Sequence, residues 1–237
     1  MNKPRLYFLF SAIAVIIFLS QCKKDTTQPL PEAPAIDTLA WKQAEKDSIN
    51  KGDTNEVMRI LTIFNYEDSL LLRTLSREVH ADSNDVILKK LTRRMYYTLI
   101  ATGSGVGLAA PQVGINRDII WLQRLDKTGK PFECYLNPKI AMYSNKNIVF
   151  NGDGCLSIPG QSGNSHRVST VLVEYDKLDG KHYQEIIEGY SVSNFTSIIF
   201  QHEIDHLTGI LYIDRLNAKE RIVTGKKNNI SSKHYLM

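Results

Sequence analysis

Leu88, Leu91, Met95 and Leu99 recur at steps of three and four, the spacing of one buried helix face. Ser83 or Asn84 offers an N-terminal capping oxygen for that helix, and Gly103 a stop. All four apolar residues, Met95 included, read as core packing. The pattern then changes. Ile119 to Leu125 reads as a strand, Lys127–Lys130 as a turn, and Phe132 to Leu136 as a second strand stopped by Asn137-Pro138. Val168 to Tyr175 is β-rich, and Asp179-Gly180 predicts a hairpin into Tyr183–Ile187. A second helix is expected from near Ser193 to about Leu207, ended by Gly209. Strands between two helices predict a mixed α+β domain, and no internal repeat interrupts it.

The ends of the chain follow different rules. Lys3 and Arg5 precede an apolar run from Leu6 to Leu19, shorter than the roughly 20 residues of a spanning helix. That combination reads as a secretory leader over residues 1–21. Cys22 follows it directly, as in the lipobox of bacterial lipoproteins, although Gln21 stands where a small residue is usual. The leader implies a lipid on Cys22, a membrane anchor and a place in the cell envelope; an uncleaved anchor and a cytoplasmic protein are the alternatives. Pro29, Pro31 and Pro34 make the next stretch a polar tether, so residues 22–55 are expected to be tether and weakly structured lead-in. A short helix is allowed between Trp41 and Gly52. The catalytic domain is then expected over 56–220, with a polar tail over 221–237.

Composition changes this picture little. The chain has 237 residues, 43% hydrophobic and 23% charged, which fits a globular domain able to bury its own core. A net charge of +4, without a basic stripe, gives no reason to expect nucleic acid. Three cysteines are too few for a disulfide framework. A monomer is expected.

Three segments carry candidate chemistry. In Gln201-His202-Glu203-Ile204-Asp205-His206, two histidines four apart share one helix face and are able to hold a single metal ion. Glu203 lies close enough in angle to exchange a proton with water there. Ile198, Ile199 and Phe200 make the preceding turns apolar, so the helix should be buried, where unliganded histidines beside a carboxylate would be costly. A zincin protease would take a third ligand downstream, yet only His234, Asp214 and Glu220 follow, none in a recognisable motif. Cys155, within Gly152-Asp153-Gly154-Cys155-Leu156-Ser157, is the better third ligand, although a lone cysteine is more often a small buried apolar residue. The third segment, Gly105 to Gly114, has neither the third glycine of a dinucleotide loop nor the Lys-Ser/Thr of a phosphate loop. Its Gln112 carries an amide suited to an oxyanion, or is a surface glutamine on a glycine-rich connection.

Taken in order, Gly-x-Gly-Leu-Ala-Ala-x-Gln, Gly-Cys-Leu-Ser and Gln-His-Glu-x-Asp-His resemble the three signatures of the peptide deformylases, over roughly residues 60 to 217. The resemblance implies antiparallel strands packed around a central helix that carries the third motif. It implies Cys155, His202 and His206 as ligands of one divalent ion, Fe²⁺ or Zn²⁺, with Ni²⁺ or Co²⁺ also able to fit. Glu203 would be the general base and acid, with Gln112 and the Leu156 backbone N–H on the oxyanion. Gly105 and Gly107 would border an N-formylated peptide, and Val106, Phe195, Ile198 and Ile199 would receive its methionine side chain. The products would be formate and a free N-terminal amine. Two positions depart from the pattern: Asp153 replaces a usual Glu, while still able to pair with Arg167, and Asn194 stands where Gly is frequent. Two alternatives remain at this point. One is a zinc metallopeptidase. The other is a non-catalytic formyl-peptide-binding lipoprotein, which a Cys134–Cys155 disulfide would support. Cys134 has no assigned role.

Overall fold

The structure is a computed structural model that describes residues 39–216. The leader, Cys22, most of the tether and the tail lie outside the described residues. Among the described residues four helices, α1 (Gln43–Asn50), α2 (Tyr66–Leu72), α3 (Val86–Ala101) and α4 (Thr196–Leu207), accompany seven strands. The strands are β1 (Gly107–Ala109), β2 (Ile119–Gln123), β3 (Phe132–Tyr143), β4 (Asn147–Gly154), β5 (Ser162–Val168), β6 (Thr170–Asp176) and β7 (His182–Glu188). All pairings between them are antiparallel, in a five-stranded sheet of order β1-β2-β3-β6-β7 and a two-stranded sheet β4-β5. No helix among the described residues is long and apolar enough to cross a membrane.

Alternation along the central strands explains the layering. Ile119 and Leu136 share a core with Leu88, Leu91, Met95 and Leu99 of α3. Their neighbours Ile120 and Tyr135 belong to a second core with Ile199, Phe200 and Leu207 of α4. Successive residues of a strand point to opposite faces, so the sheet buries both, one against each helix. The apolar stripe read from the sequence is the α3 core face.

Several boundaries differ from expectation, each for an identifiable physical reason. The α3 cap is Asp85, whose carboxylate accepts the N–H groups of Ile87 and Leu88 at 2.8 and 3.1 Å, in place of Ser83 or Asn84. Strand β3 does not stop at Asn137-Pro138. Three steps on β3, Leu136 to Lys139, oppose two on β6, so this pair forms a bulge that absorbs the proline's missing donor. Asn137 adopts φ +49 there, and its amide bonds both the N–H and C=O of Val79. The β-rich run Val168–Tyr175 is divided at Ser169, because Val168 ends β5 while Thr170 opens β6 in the other sheet. Helix α4 starts at Thr196 rather than near Ser193, where Asn194 Oδ1 accepts from the Thr196 N–H and hydroxyl at 3.2 and 2.8 Å. Strands β1, β4 and β5 and helix α2 carry no clear signal in the sequence pattern.

Residues 39–50 are bound to the domain by several cations, Arg77 pairing with Glu45 among them. Arg117, fully buried, reaches the carbonyls of Leu39 and Ala40 and pairs with Glu45, with Trp41 stacked on its guanidinium. Arg94 donates to the carbonyls of Ile49 and Glu56. The short helix allowed near Trp41 is therefore real and packed, with Ile49 in the α3 core.

Candidate metal and catalytic site

Helix α4 places His202 and His206 one turn apart, with ring centroids 5.1 Å from each other. Apolar residues hold the helix in the core, as its sequence implies, so both rings and Glu203 are buried. Strand β4 delivers the third donor. Between Phe150 and Asp153 it has one residue more than β5, and the extra residue is accommodated at Gly152 with φ +76. Asp153 is then buried while Cys155 follows at the strand end, closing a turn with Ile158 N–H at 2.9 Å. Cys155 Sγ lies 3.2 Å from His206 Nε2, and the ligand atoms of Cys155, His202 and His206 all fall within 4.8 Å of one another.

Of the three donors, His202 is oriented from behind, while His206 Nδ1 is buried without a hydrogen-bond partner. His202 Nδ1 meets Asp153 Oδ1 at 2.9 Å, which leaves its other ring nitrogen for the site. Asp153 Oδ2 accepts from Ser165 at 2.6 Å and from Arg167 at 3.1 Å, as the sequence anticipated for Arg167. Arg167 also pairs with Asp205, which in turn holds Arg215. Burial opposes ionisation of Asp153, yet His202 and Arg167 outweigh it and hold this carboxyl well below its usual range. Burial and the neighbouring His202 keep His206 far below its ordinary value, hence neutral, the form that ligates.

Glu203 is 4% exposed, and burial pushes its carboxyl up to about 7. Its Oε2 is buried with no hydrogen-bond partner, as expected of a group reserved for substrate or water. Gly107 makes room for it, since a Cβ on Gly107 would stand 2.2 Å from Glu203 Oε1. Gln112 lies in a 3₁₀ turn, Ala110–Val113, and its Oε1 is occupied by the Ala109 N–H at 2.8 Å. The Nε2 end is thereby aimed at Cys155 Sγ, 3.5 Å away, and at Ser157 Oγ, 3.3 Å away. Gln112 is buried, so the surface-glutamine reading does not hold.

A cavity of about 450 Å³ opens onto these groups. Gly105, Val106, Gly107, Gln112, Cys155, Leu156, Phe195, Ile198, Ile199, His202 and Glu203 all line it, and His206 touches the lining Cys155. Every site residue proposed between 105 and 206 therefore belongs to one place. The sequence missed Phe150, which lines the cavity and packs on Phe195 with centroids 5.4 Å apart. The two-residue spacing of Ile148 and Phe150 was its one weak sign. It also missed Ser165. Asp214, considered as a zincin ligand, instead pairs with Arg73, while His234 and Glu220 lie outside the described residues. Cys134 and Cys155 are both free, so the disulfide that would have supported a non-catalytic protein is not formed.

Comparison with known proteins agrees with this geometry. Residues 60–222 match the polypeptide deformylase family. A peptide deformylase of Finegoldia magna is 36% identical over 163 residues, covering 68% of this chain and 94% of its own. Peptide deformylase 2 of Vibrio cholerae is 35% identical over 170 residues, covering 72% and 94%. Among solved structures, the Acinetobacter baumannii class I type b enzyme with Met-Ala-Ser bound superposes with a TM-score of 0.59 at 30% identity, covering 68% of this chain and 99% of that one. The Plasmodium falciparum enzyme in complex with an inhibitor gives 0.59 at 34%, covering 72% and 96%. With three motifs converging in one cavity and the match spanning the whole of that site, the chain belongs to the polypeptide deformylase family.

Proposed function

We propose that Cys155, His202 and His206 hold one divalent metal ion, and that Glu203, Gln112 and Leu156 carry the reaction beside it. As a member of its family the chain is a hydrolase that removes the N-formyl group from N-formylated peptides. The observation behind the residue assignment is the approach of Cys155 Sγ to His206 Nε2, across 51 positions of sequence, at the floor of the cavity that Glu203 faces. One thiolate and two imidazoles would suit Zn²⁺ or Fe²⁺, and the Asp153 contact behind His202 is what a ligating imidazole needs. Such an ion supplies Lewis acidity that makes water acidic enough to act as a nucleophile near neutral pH.

The chain's own groups do the rest. Glu203, poised near pH 7 by burial, accepts a proton from water as its oxygen attacks the formyl carbon. Gln112 Nε2, aimed by the Ala109 contact, and the Leu156 backbone N–H donate to the developing oxyanion, where one donor is worth about 3 kcal/mol. Glu203 then passes the proton to the departing nitrogen, the C–N bond breaks, and formate and a free amine leave. Backbone at Gly105–Gly107 borders the peptide, while Val106, Phe195, Ile198 and Ile199, with Phe150, form the apolar wall for a methionine side chain. Helix α4 is on this reading the central element of the fold, joining sheet and site in one segment. The test is formate release from formyl-Met-Ala. Wild type is expected to be active and chelator-sensitive, and Glu203→Ala to lose activity with its metal retained. Absence of metal-dependent formate release from wild type overturns the assignment. Metal analysis of protein from its native host identifies the ion.

We also propose that Cys22 carries a lipid and ties the enzyme to the cell envelope, where its substrates are N-formylated peptides present there. Support comes from the basic-apolar leader and the cysteine directly after it. Labelled palmitate should enter wild type and not Cys22→Ala. Equal labelling, or a cytosolic protein with Met1 intact, refutes this.

A further inference from the structure

We infer that Ser165 is a positioning residue for the metal centre, acting on His202 through Asp153. The inference rests on the proposed metal site. Ser165 is fully buried on β5 and is 37 residues from His202 in sequence. Its hydroxyl donates to Asp153 Oδ2 at 2.6 Å, while the other carboxylate oxygen, Oδ1, meets His202 Nδ1 at 2.9 Å. The two contacts lie on opposite ends of one planar group. A carboxylate turns freely about its Cβ–Cγ bond unless both oxygens are held, and a rotated Asp153 would present its oxygen out of line with the imidazole N–H. A histidine ligand is set by the partner of its remote nitrogen, which fixes both tautomer and ring plane.

Arg167 also touches Oδ2, at 3.1 Å, but cannot take over this task alone. Its other terminal nitrogen is bound to Asp205, and Asp205 is bound in turn to Arg215. The guanidinium is therefore placed by two carboxylates at once. Ser165 has Asp153 as its hydrogen-bond partner here, and the hydrogen bond to an ionised acceptor at 2.6 Å is in the short, strong class. The bulge at Gly152 brings the short Asp153 side chain inward, and Ser165 is the group it comes to rest against.

The experiment measures zinc affinity of the full-length protein by competition with a chromogenic chelator, with thermal unfolding of the metal-free form alongside. Wild type is expected to bind one zinc. Ser165→Ala is expected to bind it about 10-fold more weakly, the lower end of the range for groups that hydrogen-bond a metal's ligands. The metal-free protein should stay folded, its melting temperature lowered by no more than the loss of one buried hydrogen bond. Asp153→Ala, whose neighbour Arg167 keeps Asp205 as partner, should lose more. Adding Ser165→Ala to it should then cost nothing further, because the group through which Ser165 acts is gone. A serine that merely stabilises the strand would lower the melting temperature and leave zinc affinity unmoved. Wild-type zinc affinity in Ser165→Ala, or an equal loss in both backgrounds, overturns the inference. If alanine at 165 prevents folding, Ser165→Cys, a weaker donor, reads the same link. Failure of wild type itself to bind zinc removes the metal site, which is a different result.

Discussion

Replacing Gly107 by alanine tests the catalytic geometry without touching a ligand. The added Cβ would lie 2.2 Å from Glu203 Oε1, 2.7 Å from its Cδ and 2.9 Å from its Cγ. Ordinary contact begins near 3.4 Å, so the carboxylate has to retreat by about 1 Å. The space open to it is the substrate cavity, so a carboxylate displaced that way leaves the position seen here. A misplacement of that size in a reacting group is worth about 10²-fold in rate, or about 2.7 kcal/mol of barrier. The Gly107 backbone itself stays in an ordinary extended conformation, so the loss should not come from backbone strain. The assay is the kcat/KM for formate release from formyl-Met-Ala, with metal content and melting temperature measured on the same preparations. The expected result is a fall of about 100-fold at unchanged metal content. A rate within threefold of wild type would show that Glu203 does not need the position seen here, and the argument from Gly107 would fail.

Three further outcomes concern the scaffold. Arg117→Ala leaves Glu45 and the Leu39 and Ala40 carbonyls without their buried cation, and should lower unfolding free energy by about 3 kcal/mol in urea; a loss under 1 kcal/mol would mean that residues 39–50 are not held by it. Leu91→Ala empties a fully buried site under α3 and should cost about 3 kcal/mol while leaving the KM for formyl-Met-Ala unchanged. Burial, and then Glu78, push the Asp118 carboxyl up from 3.8 to about 6. The stability of its protonated form is fully present below about 4 and is lost as pH rises through about 6. Asp118→Asn, which mimics that form, should therefore raise the urea midpoint at pH 8 and lose its advantage as pH falls below 4; an equal gain at both pH values would rule out this carboxyl as the cause.

Much of the site was legible because its residues are local in sequence or bound to a periodic element. His202, Glu203 and His206 need only a helix to converge, and the apolar turns before them announced one. The α3 stripe, the Asp179-Gly180 hairpin and the three motifs likewise depend on short-range geometry. What the sequence alone determined was therefore the chemistry available and the two helices that frame it. Tertiary structure decided which distant groups meet. Cys155 reaches His206 because a bulge at Gly152 sets the course of β4, and Gln112 faces the site because its carbonyl end is spent on Ala109. Strand β3 runs through Asn137-Pro138 because Val79 and β6 accept the irregularity, a compensation no local pattern encodes. Ser165 and Phe150 gain their roles in the same way. A serine or phenylalanine carries no chemistry until a neighbouring strand and helix place a carboxylate or an aromatic ring against it, and those contacts span 12 and 45 positions of chain.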